Sequence, residues 1–255
     1  MAPMSLRKAF GPVLAAFCFL VSASAHAEEW TKKSFLMPKG SFEITGDPAR
    51  PAMAGINLSR DAFANPINLK PHFYWAVTDD LSLGISHGTG LCLGSNCAKT
   101  YNDAGFDLMY FLTGSDRFEL DLHAGVPVRS FDPFMVGVQA GVLGRVNIGS
   151  ITALVFDPSL YIGLSQRNRG NRQDLSLPFW FYFQATDVVV PFVGSGVIGP
   201  FDEFTDRFRM PLEAGILFDV ARDVDVGFSF AFPNLLGPDG TGRWRSLNFL
   251  GRFRF

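Results

Sequence analysis

The sequence has no apolar run long enough to cross a bilayer as a helix. The run at its start, Val13–Val21, falls well short of the roughly 20 residues a spanning helix needs. Charge or proline interrupts every other apolar stretch. Charged residues are sparse, at 18%, and they form no basic stripe, which argues against nucleic acid as a partner. Cysteine is scarce too: of three, Cys18 lies inside the opening apolar run, leaving only Cys92 and Cys97 beyond it. Histidine numbers four, and no serine and acid stand at a spacing that would pair with one of them as a hydrolytic triad. The acids around Asp202–Asp206 do not follow a calcium-loop pattern.

What the chain does hold is phenylalanine, 27 residues, with 26 glycines and 16 prolines. In water so many aromatics would make a sticky surface. Residues 1–27 have the parts of a secretion signal: Arg7 and Lys8, the apolar run, and the small-x-small pattern Ala25-His26-Ala27. Cleavage there leaves 20 basic against 24 acidic residues, a formal charge of −4. Glu28–Lys39 is short and mixed. The end of the chain, LNFLGRFRF, alternates with period two: Leu247, Phe249, Gly251, Phe253 and Phe255 on one side, Asn248, Leu250, Arg252 and Arg254 on the other. Between these ends a unit repeats: strand, tight polar turn, strand, longer loop. Five such hairpins run Ile67–Gly88, Ala104–Val126, Met135–Ile162, Asp174–Ile198 and Phe208–Phe232. With a first strand at Gly40–Gly46 and the last at Leu247–Phe255, the pattern predicts about twelve strands, with ten or fourteen as alternatives. Asp47–Pro66 reads as a long loop with room for a short strand in Gly55–Ser59, and Pro127–Phe134 as another loop.

From Gly40 to Phe255 the chain resembles a bacterial outer-membrane β-barrel protein: one greasy and one polar face per strand, short turns alternating with longer loops, and a terminal aromatic. The resemblance implies an all-β, transmembrane, antiparallel up-and-down barrel at 40–255, behind a cleaved signal (1–27) and a periplasmic lead-in (28–39). It implies an outer-membrane location, with lipid and lipopolysaccharide around a monomer; the residues themselves offer no constellation for a cofactor or for catalysis. The last strand closes the barrel, and Phe253 and Phe255 belong to the signal that the barrel-insertion machinery reads. The function expected is a narrow channel for small solutes or a structural envelope protein. A surface-binding or adhesion barrel acting through its outer loops is one alternative, and a lipid-acting barrel enzyme another.

Export to an oxidising compartment favours a disulfide between Cys92 and Cys97 over a metal site. Strand parity turns Glu43, Glu119, Arg145, Asp225, Arg252 and Arg254 into the lumen, together with Asp107, Asp121, Glu213 and Asp219. Acids and bases at matching heights predict a neutralising network: Arg252 and Arg254 between Glu43 and Asp225, and Arg145 near Glu119. Such a lumen predicts a small or intermittent conductance with weak charge preference. His72 and His123 face inward by parity, and His87 faces lipid. Arg167, Arg169 and Arg172 sit in an outward loop. There guanidinium suits phosphate, although a solvated loop is the simpler reading.

Overall fold

The computed structural model describes residues 30–59, 65–238 and 243–255. The expected signal, residues 1–27, lies outside the described residues. Among the described residues the chain forms a closed barrel of twelve antiparallel staves. The first stave is built from two pieces, β1 (Phe42–Thr45) and β2 (Ala52–Asn57), and the second from β3 (Ile67–Leu69) and β4 (His72–Thr78). The third holds β5 (Leu81–Ser86) and β6 (Leu91–Leu93), and the fourth, fifth and sixth are β7 (Ala104–Ser115), β8 (Phe118–Phe131) and β9 (Phe134–Ile148). β10 (Thr152–Phe156) and β11 (Ser159–Gly163) share the seventh, broken at Asp157-Pro158, because proline cannot donate to a ladder. The remaining five are β12 (Gln173–Phe183), β13 (Val189–Pro200), β14 (Met210–Ala221), β15 (Val224–Leu236) and β16 (Ser246–Arg254).

Both halves of the first stave pair with β16, Glu43 opposite Arg254 and Asn57 opposite Ser246, so among the described residues the sheet closes on itself. That satisfies the ladder without water, the condition a spanning sheet must meet. The period-two pattern sets the faces. Phe73 and Trp75 are exposed while Tyr74 and Ala76 are buried, and Phe228 is exposed while Ser229 is buried. The exposed side is an aromatic band including Phe42, Phe106, Phe228 and Phe249, each about half exposed. All four lie on strands, and no helix among the described residues is long and apolar enough to cross a membrane.

Three segments differ from the sequence reading. Asp47–Pro66 is not one loop: Ala52–Asn57 is strand β2, and 46–51 is a loop carrying the buried Ala49. Pro127–Phe134 is strand almost throughout, with only Asp132 and Pro133 between β8 and β9. Prolines at 127 and 133 suggest a loop, but the first sits in a ladder against Gly105 and the second in a tight turn. The described part of the lead-in does not hang clear of the barrel. Residues 30–37 form a strap with Trp30, Phe35, Leu36 and Met37 in the buried core. Gly90 is needed between β5 and β6, for its φ is +67° and a Cβ there would stand 2.1 Å from the Leu69 carbonyl oxygen.

Candidate functional site

The interior divides into a filled half at the short-turn end and a hollow half at the long-loop end. Filling begins with the strap. Lys33 reaches the hairpin of β14 and β15, its Nζ 2.7 Å from Asp219 Oδ1 and 2.8 Å from Asp225 Oδ1. Ser34 Oγ and the Phe35 amide donate to Glu119 Oε1, at 2.5 and 2.9 Å. Glu119 is also paired with Arg145 at 2.7 Å, and Arg145 donates to the Lys33 carbonyl. Arg254 donates to Glu43 at 2.6 Å and to the Ser34 carbonyl at 2.8 Å. Arg252 stands 3.9 Å from both Glu43 and Asp225, with a closer bond, 2.8 Å, to the Pro48 carbonyl. The structure thus brings together Glu43, Glu119, Arg145, Asp225, Arg252 and Arg254. It adds a member that sequence reasoning missed. Lys33 lay in a segment that parity could not reach, and the apolar run Phe35-Leu36-Met37 beside it was the signal that this segment is packed.

Above the strap, the loop 46–51 folds inward. Arg50 pairs with Glu213 at 2.7 Å, and Tyr182 Oη donates to the Ala49 carbonyl at 2.9 Å. Glu213 in turn accepts from Ser229. Room for these bulky groups comes from small residues on the same face: a Cβ on Gly194 would stand 2.0 Å from the Trp180 ring.

Beyond the loop lie two chambers that share Asp47, Gly88, Gln139 and Asp157. The smaller holds about 200 Å³ and is lined by His72, Tyr74, Asp107 and His123. His123 Nε2 stands 2.7 Å from Asp157 Oδ1, and His72 Nε2 is 3.0 Å from the His87 carbonyl. His87, expected to face lipid, sits just past the end of β5. Its ring nitrogens meet the Pro71 carbonyl and Tyr101 Oη, and it borders this chamber, since strand parity stops applying where the strand ends. The larger chamber holds about 750 Å³ and reaches the long-loop rim at Trp244 and Arg245. Arg50, Lys70 and Arg209 line it with Asp47, Asp157 and Glu213, so both signs face the same space.

At the rim Cys92 and Cys97 are joined by a disulfide. Arg167, Arg169 and Arg172 do not converge. Arg167 binds its own loop at Gly163 and Gln173, Arg172 pairs with Glu203 at 2.9 Å, and Arg169 is exposed. Ion pairs instead stitch the rim: Lys99 to Asp132 and Arg172 to Glu203 between loops, and Arg129 at the end of β8 to Asp174 at the start of β12. The Lys99 hydrogen bond holds the Asp132 carboxyl below its ordinary range, and Arg207 with Arg172 does the same for Glu203. Phe253 is half-buried on the outer face and Phe255 is 74% exposed.

No protein-family model matches the chain, and no curated protein matches it in sequence. Solved structures do. The KdgM porin, solved in complex with disordered oligogalacturonate, superposes with a TM-score of 0.56 at 6% identity, over 84% of this chain and 99% of its own. The NanC porin gives 0.56 at 6% identity, over 84% and 98%. Identities this low speak for the fold alone, and the fold of this chain is that of an outer-membrane β-barrel.

Proposed function

We propose that the protein is an outer-membrane channel for small polar solutes, closed in this conformation at its periplasmic half. The observation that carries this reading is the chamber of about 750 Å³ at the long-loop end, lined by both charge signs and leading down to the inward loop. Bacterial barrels place their long loops outside, which makes this chamber the outer entrance. Its wall sets polar groups such as Asn57, Asn68 and Ser195 among apolar ones such as Ile56, Ile198 and Trp244, and the polar groups suit a hydrated solute. The likeness in fold to porins agrees with a channel. Twelve staves enclose less room than the 16–18 of an open porin, and the strap and the loop 46–51 fill part of it. The chain acts as a monomer in this reading, since its own sheet closes. The aromatic band faces outer-membrane lipid, lipopolysaccharide contacts the rim, and the insertion machinery reads the last strand.

Recording purified, folded protein in a planar bilayer tests the proposal. Brief, small openings are expected. A structural envelope role is the second reading, favoured by the filled periplasmic half. Complete silence from protein shown to be folded by its heat-dependent gel mobility would select it.

A further inference from the structure

Lys33 is held as a ligand is held. Asp219 and Asp225 face each other across the β14–β15 hairpin, and both are fully buried. Like charges directly opposite on neighbouring strands repel, and out of water the repulsion is severe. The Lys33 ammonium sits between them with a partner for each of its three protons: Asp219 Oδ1 at 2.7 Å, Asp225 Oδ1 at 2.8 Å and the Ala221 carbonyl at 3.3 Å. Asp219 Oδ2 has no hydrogen-bond partner among the described residues, and the guanidinium nearest Asp225, Arg252, is 3.9 Å away. Without Lys33 the barrel wall would present two carboxylates and a carbonyl, all acceptors, to whatever filled the space.

The structure assigns Asp219, Asp225 and the Ala221 carbonyl as a primary-ammonium site, of which Lys33 is the tethered occupant. This rests on the channel reading and adds its regulation and its solute preference. The chain blocks its own pore with a lysine, and withdrawal of residues 30–37 frees the site for a mobile cation of the same chemistry, R–NH₃⁺. Three directed acceptors select a group with three N–H bonds. A quaternary ammonium of equal charge has none and cannot use them. The weak charge preference expected from the mixed outer chamber then gives way, at this depth, to a preference for primary amines.

Two readouts on the full chain separate the site from the channel. In the first, Met37→Cys places a thiol on the buried part of the strap, and its labelling by a hydrophilic maleimide is timed with Lys33 intact and with Lys33→Gln. The glutamine variant should label several-fold faster, because the strap has lost its anchor. An unchanged rate would overturn the assignment. Should Lys33→Gln fail to fold, Asp219→Asn weakens the same anchor from the barrel side and should speed labelling likewise. In the second, bilayer currents of Lys33→Gln should be more frequent than wild type. They should be blocked by ethylammonium at concentrations where tetramethylammonium has little effect. Equal block by the two would also overturn the assignment. Faster labelling with no current from any folded variant would leave the ammonium site standing and remove the channel reading.

Discussion

Trp30 lies on Tyr182, ring centroids 4.0 Å apart and planes 29° from parallel, while the Tyr182 hydroxyl donates to the Ala49 carbonyl at 2.9 Å. One side chain of β12 therefore holds both segments that fill the lumen, the strap through its ring and the inward loop through its oxygen. The two functions can be separated by substitution. Tyr182→Phe keeps the ring and orphans the Ala49 carbonyl, a loss of about 1–3 kcal/mol confined to the loop. Tyr182→Ala removes the stacking as well, worth a further 0.5–1.5 kcal/mol or so beyond the area lost. Hydrogen exchange should show the Phe variant loosening residues 46–51 alone, and the Ala variant loosening 30–37 as well.

The Glu119–Arg145 pair is buried at both ends, 5% exposed each. Arg145→Met should therefore destabilise the barrel by about 3–5 kcal/mol, since it strands a buried carboxylate. The double change Glu119→Leu with Arg145→Met should recover most of that, because replacing both charges removes the desolvation cost along with the attraction. Urea unfolding in detergent micelles checks the sign. A double variant as unstable as the single would mean that the bonds from Ser34 and Phe35 to Glu119, not the ion pair, carry the weight.

The two faces of the barrel should respond oppositely to charge. Phe228 is exposed in the aromatic band, opposite Phe249 on β16, so Phe228→Arg should cost about 2–4 kcal/mol if it lies at mid-membrane. Ser246 borders the outer chamber, and Ser246→Arg should leave the yield of folded protein unchanged. Ser229 also faces inward, yet Ser229→Arg should lower the yield of folded protein. It is buried against Glu213 and Asn248, with no space for a guanidinium.

Polar turns bracket most of the wall strands and alternation sets their faces, because a slip of one residue exchanges the faces and only one parity puts Phe73, Phe106 and Phe249 together outside. The same parity turns Glu43, Arg254, Glu119 and Arg145 inward at matching heights, and the ladders set Glu43 opposite Arg254 and Glu119 opposite Arg145. Parity is silent wherever the chain is not a strand, and there the reading fell short. The strap has no period to read. The loop 46–51 interrupts a stave whose second half, β2, is rich in Ala and Gly and carries little hydrophobic contrast. Pro127 is tolerated in β8 because the β8–β9 ladder skips from Gly125–Gln139 to Val128–Val136 and needs no donor there. The contents of the lumen were thus less legible than its wall.

The Cys92–Cys97 bond closes a small loop, with a sequence separation of 5. Loop-closure entropy for so few residues amounts to about 2 kcal/mol. It acts on the β6 rim alone, because the rest of the barrel closes without it. Replacing both cysteines with serine should leave the unfolding midpoint of the barrel nearly unchanged, while proteolysis between Leu91 and Tyr101 becomes faster. A large fall in the midpoint would show that the rim loops are part of the cooperative unit.

Phe255 meets the barrel through its backbone. Its amide donates to the Phe42 carbonyl at 2.9 Å and its carbonyl accepts from the Phe42 amide at 3.0 Å, the last pair of bonds in the closing seam. Its side chain is 74% exposed and packs on little. A structural role and a recognition role therefore fall on different atoms, and two variants tell them apart. Phe255→Ala keeps the seam bonds and removes the ring. Refolding into detergent micelles should be as complete as for the unmodified chain, while the amount of folded barrel in the outer membrane of cells should drop, the outcome expected of the proposal that insertion machinery reads this aromatic. Deleting Phe255 removes both seam bonds from the protein, leaving the Phe42 amide and carbonyl to water. That change should weaken micelle-refolded barrel as well, by the roughly 0.5–1.5 kcal/mol each hydrogen bond contributes net. If Phe255→Ala assembles in cells at the normal level, the ring carries no signal, and the strand's end matters only as the seam that shuts the barrel.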